Sequence, residues 1–188
     1  MAYRKNKLKQ KGQSLLETVF ALGVLLIAVS GVLALTASGI IGQKESESQI
    51  IANNLAREGI EVVRHLRDSN WLADIGWDFG FNEGRVAIAD FSRTENRWQL
   101  IFDFSDDSLY TSFDGLYSHD ETGRKTPFSR CLIIDSICQD KAFGAEAIKF
   151  SCAADERKIG VKVASEVSWS ERGRTRQVTI EDLLYDWK

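Results

Sequence analysis

Glu17 is the only charged side chain between Lys11 and Lys44, and it stands near the head of a long apolar run. A carboxylate placed within a membrane-spanning stretch costs about 2.5–3.5 kcal/mol on insertion scales unless something pairs with it. The cation best placed to pair with it is an amine freed by cutting the chain after Gly12, five residues upstream. The chemistry expected of this carboxylate is therefore ion pairing.

The remaining reactive side chains are sparse. The two histidines, His65 and His119, lie far apart and in different contexts. No Cys-x-x-Cys, His-Glu-x-x-His, Gly-x-Ser-x-Gly or phosphate-binding loop is present, so the sequence points away from an enzyme. Asp103, Asp106, Asp107 and Asp114 crowd one loop, together with Asp120 and Glu121. Calcium takes about six to eight oxygens, which such a loop could supply. The spacing does not match the Asp-x-Asp-x-Asp-Gly pattern, and solvated turn aspartates are the favoured reading, with no metal and no cofactor expected. Arg172, Arg174 and Arg176 make a small basic cluster. With no interleaved aromatics and an acidic chain around it, a solvated turn is expected rather than a phosphate contact, and no nucleic acid partner is expected. Of the three cysteines, Cys138 and Cys152 flank a plausible turn and are the favoured disulfide pair. Three buried, unbridged thiols are the alternative.

The elements that carry these residues follow from composition and periodicity. The chain has 188 residues and a formal net charge of −3. Arg4, Lys5, Lys7, Lys9 and Lys11 are all in the first twelve residues, so the rest is more acidic still. The apolar run from Leu15 to about Ile41 exceeds the roughly 7–15 residues of a secretory signal core and is long enough to span a bilayer. The run carries Gly23, Gly31, Gly39 and Gly42 with Ala21, Ala28, Ala34 and Ala37, small residues that let helices approach closely in lipid. Residues 44–68 continue with helical periodicity. Ala52, Ala56, Gly59 and Val63 beside Ile51, Leu55, Val62 and Leu66 make one apolar stripe. One helix from about Ser14 to about Asp68 is predicted, about 80 Å long at 1.5 Å per residue. Its first half is apolar all round and its second half amphipathic, to be packed against a sheet.

Beyond Asn70, Trp71, Trp77, Phe79 and Phe81 interleave with Gly76, Gly80 and Gly84, an aromatic loop folded over the helix. Strands are expected at 85–91, 97–104, 128–137, 147–153, 159–170 and 174–181. The clearest is the terminal hairpin, where Val161, Val163, Val167 and Trp169 alternate with polar residues and Glu171-Arg172-Gly173-Arg174 turns the chain.

At Lys11-Gly12-Gln13-Ser14-Leu15-Leu16-Glu17 the chain resembles the type IV prepilin family. Ala56 to Trp71, with Glu58-Gly59-Ile60-Glu61 and Arg67-Asp68-Ser69-Asn70-Trp71, is similar to the spine of PilV-like minor pilins. So is the ending, Val167-Ser168-Trp169-Ser170-Glu171-Arg172-Gly173-Arg174 with Leu184-Tyr185-Asp186-Trp187. Gln13 stands where the family usually has phenylalanine. The resemblance implies a type IV pilin-like α+β fold, a long N-terminal helix with a membrane-embedded first half, packed on a mostly antiparallel sheet. It implies a cytoplasmic leader over 1–12, cut by a prepilin peptidase between Gly12 and Gln13, with Gln13 then N-methylated. It implies a transmembrane and assembly segment over 13–43 and a globular part over 44–188 outside the inner membrane, by the positive-inside rule. The implied role is a minor pilin, a structural subunit of a type IV pilus, with Glu17 pairing to a neighbouring N-terminal amine. Its implied partners are other pilins, the inner-membrane assembly platform and the lipid bilayer. A type II secretion pseudopilin and a single-pass anchored binding protein are the alternatives.

Overall fold

A computed structural model describes residues 15–81, 85–92 and 94–187. The fold is α+β. A single helix, α1 (Leu15–Leu72), runs unbroken for 58 residues. The chain divides into two units between Ser46 and Glu47, and each has its own character.

In the first unit every residue of α1 from Leu15 to Leu22 is exposed, and large apolar side chains such as Phe20, Ile27, Leu33 and Leu35 stay open to their surroundings. An 18-residue window of this helix reaches a mean hydropathy of 2.6 with none of it buried. α1 is long and apolar enough to cross a membrane. Ser30, Thr36 and Ser38 return their hydroxyls to the carbonyls of Ile27, Val32 and Ala34, so their polarity is satisfied within the helix.

In the second unit the helix buries one stripe: Ala52, Leu55, Ala56, Gly59, Ile60, Val62, Val63, Arg67 and Trp71. These are the i, i+3, i+4 and i+7 positions that face one way on a helix. The helix ends one turn later than the sequence suggests, because its last turn is tied down. Trp71 is buried, the Arg67 guanidinium stacks 4.6 Å from its ring centre, and Asn70 Nδ2 donates to the carbonyls of Trp77 and Phe79. The aromatic stretch that follows behaves unevenly, with Phe81 buried, Trp77 packed on the core and Phe79 exposed.

The strands are β1 (Arg85–Ser92), β2 (Arg97–Ile101), β3 (Ser108–Thr111), β4 (Tyr117–Ser118), β5 (Arg124–Asp140), β6 (Glu146–Lys149), β7 (Glu156–Glu171) and β8 (Arg174–Tyr185). They form one antiparallel sheet around β5. One edge of β5 is taken along its length by β7, from Phe128↔Trp169 to Asp140↔Glu156, and β7 carries β8. The other edge is shared in turn by β3, β1 and β6. Pro127 would break a ladder in mid-sheet. It falls just before β7 pairing begins and inside the register shift between β3 and β5, where no ladder bond is lost.

The helix stripe meets the sheet in two apolar clusters. Ala52, Leu55 and Ala56 pack with Leu109, Phe128, Val167 and Trp169. Ile60, Val62 and Val63 pack with Leu132, Ile134, Val161 and Val163. Gly59 marks the tightest approach. A Cβ there would stand 2.5 Å from Ser165 Oγ and 2.9 Å from Leu132 Cδ2, so only glycine lets the helix lie this close.

Candidate functional site

The first candidate is the head of α1. Gly12 and Gln13 lie outside the described residues. Glu17 sits in the first turn of the helix, exposed, where a carboxylate also favours the positive end of the helix dipole. Around it Phe20, Ala21, Val24 and Ala28 make a shallow apolar surface. The site is thus one carboxylate on a stretch of helix that is otherwise uncharged up to Lys44 and largely exposed, which suits pairing with a cation brought by another molecule.

The second candidate arises from a change of partner in β1. Arg85, Val86 and Ala87 pair with β5, but from Ile88 to Ser92 the strand pairs with β2. Its place along β5 is taken by β3, whose Ser108 faces Ser129. β1 therefore parts from β5 after Ala87↔Leu132, and a groove of about 830 Å³ opens between the β1–β2 arm and the β3–β4 hairpin, with Glu58 of α1 lining it. Carboxylates come from Glu58, Asp90 and Asp120, and aromatic walls from Phe91, Trp98 and Tyr117. Phe91 and Trp98 meet edge to face, 5.5 Å between ring centres.

Arg130 is the hinge of this arrangement. It is 1% exposed. Its Nη1 donates to the Leu55 carbonyl at 3.2 Å and lies 3.3 Å from Glu58 Oε2, and its Nη2 donates to the Ala89 carbonyl at 3.4 Å. Burial pulls its pKa down, and the Glu58 carboxylate opposes that. Sequence reading missed Arg130, although a signal was there. It shares the inward parity of Phe128, Leu132 and Ile134, and it is the one charged residue among the buried positions of that strand.

His119 is half-buried beside this region and donates from Nδ1 to the Ser108 carbonyl at 3.1 Å. Burial, and then the Arg130 charge, hold its pKa below the usual histidine value. His65 is exposed on α1.

The acidic loop is used piecemeal. Asp103 pairs with Arg85 at 3.6 Å. Asp106 accepts from the Ser108 amide at 3.0 Å and its hydroxyl at 2.7 Å, which lower its pKa, and lies 3.6 Å from Lys125. The Asp107 carbonyl accepts the Arg130 amide, and Asp114 lies in the exposed turn between β3 and β4. These four are not brought together as a ligand set. Among the described residues the one group of three potential metal ligands within 4.8 Å is Cys138, Cys152 and Glu156. The two sulfurs in it are joined to each other as a disulfide, with Cα atoms 5.4 Å apart. Cys131 is free, and burial pushes its thiol up to about 11.

The arginine cluster sits at the tip of the β7–β8 hairpin. Arg172 and Gly173 adopt φ of 52° and 73°, the left-handed pair that closes a tight two-residue turn, and Arg172, Arg174 and Arg176 are all exposed.

Comparison with protein-family models, with curated proteins and with solved structures finds no match. The architecture itself, one long apolar N-terminal helix packed on an antiparallel sheet, is compatible with a pilin-like, membrane-anchored protein.

Proposed function

We propose that the chain is a structural subunit of a type IV pilus-like filament, a minor pilin held in the inner membrane before assembly, and that it carries no catalytic activity. The observation that carries the reading is Glu17, one carboxylate on a helix half that is apolar, exposed and able to cross a membrane. Such a charge needs a partner in low dielectric, and a repeated copy of the same helix brings one in its N-terminal amine.

In this reading a prepilin peptidase cuts between Gly12 and Gln13, and the Gln13 amine is methylated. The lysine-rich leader stays cytoplasmic and the sheet stands outside. The assembly platform then lifts the helix from the bilayer into a bundle of other pilins, where Gly23, Gly31, Gly39 and Gly42 allow close approach. A methylated amine from one subunit neutralises Glu17 of the next and sets their axial stagger.

Intact-mass measurement of the chain purified from membranes tests the processing. The expected mass begins at Gln13, with or without one added methyl group. A mass beginning at Met1 or Ala2 in cells that make the peptidase contradicts it.

A further inference from the structure

A cleft of about 270 Å³ lies between β6 and β8, lined by Ile137, Glu146, Ala147, Ile148, Leu183 and Tyr185. Val161 and Leu184 pack toward α1, so by alternation their neighbours Gly160 and Tyr185 point to the other face of the sheet. Ile148, Ile137, Gly160 and Tyr185 stand there in one cross-strand row. Gly160 leaves a gap in the row, where a Cβ would lie 3.1 Å from Ile137 Cδ1. Tyr185 Oη donates to Glu146 Oε2 at 3.4 Å, joining β8 to β6 across that gap. The volume falls just below the roughly 300–1,000 Å³ of ligand pockets, which suits one inserted side chain better than a whole small molecule.

A side chain of that kind stands at the other end of the sheet. Phe113 is fully exposed on the turn between β3 and β4. The turn is fixed, since the Ser112 amide donates to the Leu116 carbonyl at 2.9 Å and the Gly115 amide to the Ser112 carbonyl at 3.0 Å. Thr111 pairs with Arg124 at the start of β5, and the cleft lies at Ile137, 13 residues further along that strand. At about 3.3 Å per residue that is about 43 Å, so a chain's own Phe113 stands far from its own cleft. We propose that the cleft receives the Phe113 side chain of a second copy of this chain.

The charges around the two sites match. Glu146, on the cleft, is exposed and accepts a bond from Tyr185, and among the described residues it makes no ion pair. Arg124, across from Thr111 and so close to the Phe113 turn, is exposed and likewise makes none. The same holds for Asp114, next to Phe113, and for Arg157, which shares a cross-strand row with Glu146 through Gln139. The turn thus brings an acid and a base to a cleft that offers a base and an acid, and a guanidinium fork matches a carboxylate with two parallel hydrogen bonds. A contact between unlike sites at opposite ends is head-to-tail, and repeated it runs on as a helix or closes as a ring. The inference deepens the filament reading and rests on it for that consequence, giving the globular parts a contact of their own in addition to the helix bundle.

The test uses the uncut full-length chain in detergent micelles, so that it is independent of processing at Gly12. Sedimentation velocity reads self-association across a concentration series. The unmodified chain is expected to associate, and to grow past two copies as its concentration rises. Phe113→Asp removes the inserted side chain, and Ala147→Trp fills the cleft. Each is expected to weaken association about tenfold or more. An equimolar mixture of the two forms pairs that stop at two copies, because one variant keeps an intact cleft and the other an intact Phe113. Both positions are exposed, so the folded sheet is expected to survive. If the thermal transition of Ala147→Trp is lost, Ile148→Ser replaces it, with the same weakening expected. A monomeric unmodified chain, variants that associate undiminished, or a mixture of folded variants that stays apart or grows past pairs overturns the proposal. A chain that starts at Met1 in cells yet passes this test would sink the filament reading alone.

Discussion

Gly31 and Gly59 belong to the same helix, yet a methyl group added at each would meet opposite surroundings. At Gly59 it would strike Ser165 and Leu132, whereas at Gly31, as at Gly23, Gly39 and Gly42, nothing among the described residues lies within 4 Å. One glycine is explained by the chain's own sheet, while the other four are not explained by anything in it. The large side chains divide in the same way. Val63 is 0% exposed and Leu35 76% exposed, though both are good core residues. The difference teaches that the second half of α1 is stabilised within the chain, whereas the first half has surfaces suited to lipid and to other helices.

That contrast can be broken at several points. The largest effect is expected from Arg130→Ala, which removes a fully buried side chain and its bonds to Leu55, Ala89 and Glu58, at a cost of about 3–4 kcal/mol in denaturant unfolding. Ser30→Ala on the other half should change unfolding by less than about 0.5 kcal/mol. Equal effects would erase the distinction. Replacing Cys138 and Cys152 by serine should cost about 3 kcal/mol, the loop entropy of a bridge spanning 14 residues, and move the unfolding midpoint accordingly.

The glycines give the sharpest comparison at a smaller magnitude. Gly59→Ala should destabilise by about 1–2 kcal/mol, since overpacking outweighs the gain in helix propensity. Gly31→Ala should leave unfolding unchanged or slightly favour the helix, and should reduce incorporation into filaments instead.

The smallest effect is on pH dependence. The pKa of His119 is lower in the folded chain than its ordinary value of 6.5, so the unfolded chain binds the extra proton first as pH falls. Stability is therefore full above about pH 6.5, declines below it and levels off under the folded value, and His119→Gln should flatten that decline. A stability that rose on acidification through this range with His119 present and not in the variant would reverse the assigned sign.

Much of this was legible along the chain because periodicity is local. The stripe from Ala52 to Val63 and the alternation from Val161 to Trp169 each declare their element within a dozen residues. The strands β3 and β4 were not legible. Ser108–Thr111 and Tyr117–Ser118 are too short and too rich in neighbouring aspartates to read as strands, and they owe their form to pairing with β5. β5 itself begins at Arg124, four residues before the expected start at 128, and Pro127 is accommodated where the β3–β5 register shifts. At 147–153 the expected strand stops at Lys149, before the Cys152 bridge. The groove was invisible for a deeper reason, since it exists only because β1 exchanges β5 for β2 at a point fixed by residues some forty positions away. Glu17 was legible as an oddity of composition, and Gly12 and Gln13 lie outside the described residues.

The most direct test of the division between the two halves is Glu17→Ala in cells that assemble the filament, with the subunit followed in sheared filaments and in membranes. The expected result is a subunit that inserts at least as well as before, keeps its Cys138–Cys152 bridge and its folded sheet, and disappears from filaments. Undiminished incorporation of the Glu17→Ala subunit into filaments would contradict the role assigned to that carboxylate.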